Sequence, residues 1–148
     1  MGDEVSRSLL HAMKRLILLT TLFCWALWGL AQDAVPIAND IGRLTWTTDE
    51  IKSVMIGERS TWDNDVAVTI VLPASDSRSF EQTALWAFET DGFEYQKHWL
   101  SLVFQGRTDP PVFVQDETEV VNYVRTHRGA IGILHDVEAP TDMMLRLQ

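Results

Sequence analysis

The chain of 148 residues has a single cysteine, Cys24, and is poor in positive charge, with 12 Lys and Arg against 21 Asp and Glu. One cysteine inside an apolar run rules out a disulfide framework and a multi-thiolate metal site. The shortage of bases deepens along the chain. Residues 1–31 hold Asp3, Glu4, Arg7, Lys14 and Arg15, so 19 acids and 9 bases remain in the 117 residues that follow. Affinity for a phosphate backbone depends on Lys and Arg neutralisation, and attraction to anionic lipid needs the same charges, so this balance argues against both partners. After Ala31 there is no internal repeat, low-complexity tract or long charge run, and 117 residues suffice for one core.

The chain does have one long apolar stretch. Met13-Lys14-Arg15 is followed by Leu16 to Leu30, with Gly29 and Ala31 ahead of the polar Gln32-Asp33. A basic start, an apolar run and small residues before a polar segment are the parts of an export signal. A spanning helix wants about 20 apolar residues. We therefore expect residues 1–31 to be a signal peptide cleaved after Ala31, a periplasmic location, and no membrane anchor once it is removed. Bulky Phe23 before Cys24 speaks against lipidation. Asp3 and Glu4 precede a signal that already opens with its own methionine, which suggests Met13 as an alternative start.

Beyond the leader, helix and strand patterns alternate. Val35 to Ala38 reads as a short strand. Thr47-Thr-Asp-Glu50 has capping-box spacing ahead of a helix with Ile51, Val54 and Met55 inward, and Gly57 is placed to end it. Val66 to Leu72, apolar at nearly every position, predicts a strand covered on both faces, and Pro73 closes it. A helix follows from Ser79, with Phe80, Ala84, Ala87 and Phe88 on one face. Asp91-Gly92 breaks it, and the next is expected to bury Phe93, Trp99, Leu100 and Val103. Val112 to Val114 reads as a strand, and Asp116-Glu-Thr-Glu119 again has capping-box spacing before Val120, Val121 and Val124. Gly129 ends that helix, Ala130 to Leu134 is a strand, and Met143 to Leu147 is a candidate terminal one. The order β-α-β-α-α-β-α-β predicts an α/β layer structure with a mainly parallel sheet flanked by helices. Trp86 and Trp99 are expected in the core, and Trp62 packed back onto the first helix.

Three segments in this order resemble a known family: Ile51-Lys-Ser-Val-Met-Ile-Gly57 with Trp62-Asp63, Gln96-Lys-His-Trp-Leu-Ser-Leu-Val-Phe-Gln-Gly106, and Gly129-Ala-Ile-Gly132. They are similar to the short phosphate-binding-protein-like proteins related to the substrate-binding component of phosphate ABC transporters. Met55 and Ile56 stand where that pattern has Phe and Leu, and Ile133 replaces an aromatic residue. The likeness covers about Thr47 to Leu134. It implies the type 2 periplasmic-binding-protein fold, in which ligand lies between two α/β lobes. Residues 32–148 supply about one lobe, so the ligand cleft would be degenerate or completed by a partner.

In those relatives a Ser-Gly-Thr segment starts a helix whose backbone donors hold the anion. The matching segment is Ser75, Asp76, Ser77, Arg78 and Ser79, between the strand ending at Leu72 and the helix beginning near Phe80. Unsatisfied N–H groups at a helix head favour negative charge, and serine hydroxyls with Arg78 would add donors. The segment lacks glycine, and Asp76 repels an anion. The alternative is structural: Ser77 or Ser79 as an N-cap and Ser75-Asp76 as a turn. Gly129-Ala-Ile-Gly132 likewise reads first as a helix stop and a close-packed strand.

No Gly-x-Ser-x-Gly elbow surrounds the serines, so a triad with His98, His127 or His135 has no support in the pattern. His127, His135 and Asp136 fit no metal-ligand spacing, and Glu117/Glu119 and Asp63/Asp65 read as solvated surface. The expectation is an exported, non-enzymatic solute-binding-like module without cofactor or metal. Its partner would be phosphate or another small oxyanion; the alternative is a periplasmic interaction or accessory module that has lost ligand binding.

Overall fold

In a computed structural model, residues 33–148 are described together with Gly2, Arg7 and Leu9. The expected signal peptide of residues 1–31 otherwise lies outside the described residues. The elements are β1 (Val35–Ala38), β2 (Thr45–Trp46), α1 (Thr48–Met55), β3 (Thr69–Leu72), α2 (Arg78–Phe88), α3 (Gly92–Phe104), β4 (Val112–Phe113), α4 (Glu117–Thr126), β5 (Ala130–Leu134) and β6 (Arg146–Leu147). None of the helices among the described residues is long and apolar enough to cross a membrane.

Local chemistry explains most boundaries. Thr47 and Glu50 complete a reciprocal capping box at the head of α1. Ser77, Asp91 and Asp116 each accept a backbone N–H three residues on and so start α2, α3 and α4. The Asp116 box is half made, because the Glu119 carboxylate accepts from Gln115 N–H at 2.9 Å.

The main sheet has the order β1-β5-β3-β4. β3 runs parallel to both β5 and β4, whereas β1 is antiparallel to β5. Thus the fold is mixed α/β with a mostly parallel sheet and four helices among the described residues. The alternation of β5 sorts the core into two layers. Ile131 and Ile133 join the cluster of Ile51, Val54, Phe80, Tyr95 and Trp99 from α1, α2 and α3, while Ala130 and Leu134 join Val120, Val121 and Val124 of α4 on the other face. The structure shortens the expected strand at Val66 to Thr69–Leu72, because Val66 O and Thr61 are engaged by the loop from Ser60 to Ala67 instead. At the carboxyl end Met144 bridges Ile37 of β1, and Arg146–Leu147 pair with β2, a two-residue strand with no signature in the sequence.

The α3 face is the main correction. Tyr95, Trp99 and Leu102 are buried, and Phe93 and Leu100 are exposed. The Tyr95 hydroxyl donates to the Met55 carbonyl at 2.7 Å, at the end of α1, so this face combines apolar burial with a paired polar tip. Trp86 is half-buried and packs against the edge of the larger core cluster. Trp62 is buried, stacks edge-on against Trp46 at 5.2 Å and donates to Gly129 O at 2.8 Å.

That bond places Gly129 against the loop before β3. Its φ is +77°, and a Cβ would collide with the Ala67 carbonyl oxygen. Gly132 lies under Val120 of α4, where a Cβ would strike the valine methyl. Gly106, by contrast, has φ +65° with open space around it. Gly106→Ala should therefore cost only the left-handed backbone penalty, about 1 kcal/mol. Gly129→Ala adds a backbone collision and should cost more than about 2 kcal/mol, read as a larger fall in the urea midpoint.

Candidate functional site

The head of α2 is built by a turn and a cap. Pro73 ends β3, Ser77 N–H donates to Ala74 O at 2.9 Å, and Ser77, in extended backbone, turns its hydroxyl onto Phe80 N–H at 3.1 Å. The Ser77 oxygen is thereby used as an N-cap. Ser79 is half-buried, and its carbonyl accepts from the Thr83 hydroxyl at 2.9 Å. The N–H groups of Arg78 and Ser79 head the helix, where no intrahelical acceptor exists.

Of the five residues anticipated as an anion site, two line one groove and a third lines another. Ser75 and Asp76, both exposed, line an open groove of about 610 Å³ with Ala74, Phe113, Gln115 and Glu119. Arg78 lines a different groove with Glu81, Leu85, Thr90 and Asp91. The first groove therefore has two carboxylates, Asp76 and Glu119, and no cationic side chain among its lining residues. Like charge repels a dianion there unless a proton is supplied by the ligand.

A few residues away, a carboxylate that reads as surface in the sequence is in the interior. Glu117 is 3% exposed. Its two oxygens accept backbone N–H groups from His135, Asp136 and Val137 at 2.8, 2.9 and 2.9 Å. Successive N–H groups of this kind form an anion-binding nest, and here the chain's own side chain fills it. His135 extends the network, since its Nε2 lies 3.1 Å from the Thr83 hydroxyl of α2. Burial holds the His135 imidazole below its ordinary pKa, and the negative charges of Glu117 and Asp136 oppose that shift. Nothing in the sequence separates Glu117 from its neighbour Glu119; the pairing lies 18 residues or more away.

The other histidines are engaged elsewhere. His98 Nε2 lies 2.7 Å from Ile56 O, and His127 stacks on Tyr123 at 3.8 Å with Nδ1 2.9 Å from the Tyr123 carbonyl. None of these contacts includes Ser75 or Asp76. Among the described residues, no three His, Cys, Asp or Glu side chains gather as a metal site.

The outer face of α3 is the second unusual surface. Phe93, Lys97, Leu100 and Phe104 stand at i, i+4, i+7 and i+11, one stripe of a helix. Phe93 is 70% exposed, Leu100 53% and Phe104 86%. Lys97 pairs with Glu94 at 3.4 Å, which leaves the stripe close to neutral. Scattered exposed apolar residues are ordinary, whereas here two phenylalanines and a leucine lie in one row.

No protein-family model and no curated protein matches the chain. Among solved structures it is similar to an ABC-type phosphate transport receptor from Vibrio cholerae, with a TM-score of 0.49 and 13% identity. The match covers 78% of this chain and 45% of the receptor, so the chain spans less than half of that protein's length.

The buried network makes two predictions. Glu117→Ala leaves three N–H groups without an acceptor and should cost about 3 kcal/mol or more by urea denaturation, with Glu117→Gln, which keeps one oxygen, costing less. For His135 the native state favours the neutral ring, so the unfolded chain binds the proton more readily. Stability from this residue is present above the ordinary imidazole pKa of 6.5 and is lost as the pH falls below it. His135→Gln should flatten the pH dependence of the urea midpoint between about pH 7 and 5.5.

Proposed function

We propose that the chain is an exported, non-catalytic interaction module, a single α/β lobe of the periplasmic-binding-protein kind whose working surface is the outer face of α3. The observation that carries this reading is the aligned Phe93, Leu100 and Phe104 row, left uncovered although the same helix buries a full apolar face on its other side. Export rests on the basic start, apolar run and small residues between Met13 and Ala31. The kinship of the lobe rests on the order of its three sequence segments, from Ile51-Lys-Ser-Val-Met-Ile-Gly57 to Gly129-Ala-Ile-Gly132. A binding role in place of catalysis is supported by the separate commitments of His98, His127 and His135.

A second reading, a small oxyanion such as phosphate held at Ser75, Asp76, Ser77, Arg78 and Ser79, draws on the Arg78 and Ser79 N–H groups at the head of α2. Asp76 and Glu119 oppose it, and Arg78 lies in the neighbouring groove.

Calorimetry and thermal shift with phosphate and sulfate separate the two. A ligand at 100 times its Kd adds about 2.7 kcal/mol of stability, and we expect no change in Tm at millimolar anion. A shift that Arg78→Ala abolishes would replace the interaction reading with oxyanion binding. In the cells that make the protein, a photo-cross-linking amino acid at Phe104 should give an adduct, and one at exposed Glu138 should not.

A further inference from the structure

Resting on that reading of α3, we propose that the occupant of its outer face is a second copy of this chain, with the two α3 helices packed antiparallel. Three features of the helix make the face complementary to itself. The first is the spacing of the apolar row. Phe93 and Phe104 stand at its two ends, about 16 Å apart at 1.5 Å per residue, with Leu100 and the Lys97 stem between them. Reversing one helix on the other sets Phe93 of each copy beside Phe104 of its mate and Leu100 beside the methylenes of Lys97, which can cover apolar surface while the ammonium stays in water.

The second feature is the distribution of charge. Asp91 caps α3, whereas Arg107 follows its last turn. Antiparallel packing sets the acidic start of each helix near the Arg107 end of the other and opposes the two helix dipoles. Parallel packing would align acid with acid and base with base. The face also escapes the large acid excess of the domain, because Glu94 and Lys97 already neutralise each other on it.

The third is area. At about 200 Å² for a phenylalanine, the exposed parts of the three apolar residues offer on the order of 400 Å² per copy. Two copies bring together about 800 Å² of apolar surface, below the ~1,200 Å² at which standard interfaces begin and in the range of transient contacts. The association is therefore weak and concentration-dependent, with a Kd in the micromolar range, roughly 1 to 100 μM.

Disulfide trapping in the full chain, with Cys24→Ser to remove the natural thiol, tests the register. The surfaces changed are exposed, so circular dichroism should report an unaltered fold. Phe93→Cys mixed with Phe104→Cys should yield a cross-linked dimer on oxidation, and neither variant alone should. No dimer from the mixture, or equal cross-linking by either variant alone, overturns the antiparallel pair. Sedimentation equilibrium of the chain with only Cys24→Ser should show a monomer–dimer equilibrium that Leu100→Asp weakens tenfold or more; a monomer throughout that concentration range overturns the proposal. The photo-adduct from position 104 keeps the two readings apart. Twice the chain's mass supports the second copy, another mass overturns the second copy but not the interaction face, and no adduct overturns both.

Discussion

A buried carboxylate with three backbone donors fixes how the two helical layers meet the end of the sheet. Glu117 sits in the first turn of α4, on one face, and its oxygens gather the N–H groups that follow β5. His135, in the same turn of chain, reaches Thr83 of α2 on the opposite face. The network therefore passes around the carboxyl end of β5 and links helices that the sheet keeps apart. A charge this deeply placed is tolerable only because its hydrogen bonds are made, and each donor would be costly if left alone. The close fit of Gly132 beneath Val120 holds α4 near enough to the sheet for Glu117 to reach its donors.

This placement bears on function because parallel sheets bind ligands outside the carboxyl ends of their strands, where connections leave in opposite directions. β3 is such a strand. It leads through α2 and α3 to β4 on one side, and its other neighbour is β5. Two sets of backbone donors meet there. Those after β5 are taken by Glu117, and the Ser77 hydroxyl at the head of α2 is turned inward as a cap. The N–H groups after β5 and that of Phe80 are thus held within the protein, while those of Arg78 and Ser79 have no intrahelical acceptor. Asp76 and Glu119 in the adjoining groove add negative charge beside those two free donors, which opposes an anion there.

Elements set by neighbours within four residues are legible in the sequence. Thr47 and Glu50, Ser77 and Asp91 each act locally, and the helices they start follow, whereas α4 closes on extended His127 and Gly129 answers to Trp62 and Ala67. What the sequence conceals is decided across distance. Thr45–Trp46 becomes a strand only by meeting Arg146–Leu147, and Glu117 differs from Glu119 only through donors on another element. For the candidate site, the Ser77 cap was readable as one of two alternatives, while the divergence of Arg78 from Ser75 and Asp76 depends on which side of α2 faces Phe113.

α3 shows the same limit most clearly, and why its outcome carries functional weight. Its sequence holds two apolar rows at helical spacing, Tyr95, Trp99 and Leu102 against Phe93, Leu100 and Phe104, and periodicity alone cannot rank them. The inner row wins because Tyr95 adds a hydroxyl that Met55 O accepts, and because Trp99 and Leu102 pack over Gly57, where a side chain would not fit. The outer row has nothing comparable to meet within the lobe. A helix that needed only to fold would carry polar residues there, as the outer face of α4 does with Glu119, Asn122 and Arg125. Two aromatic residues kept in water on a stripe without net charge are a cost to solubility, and burial against another surface is what relieves it.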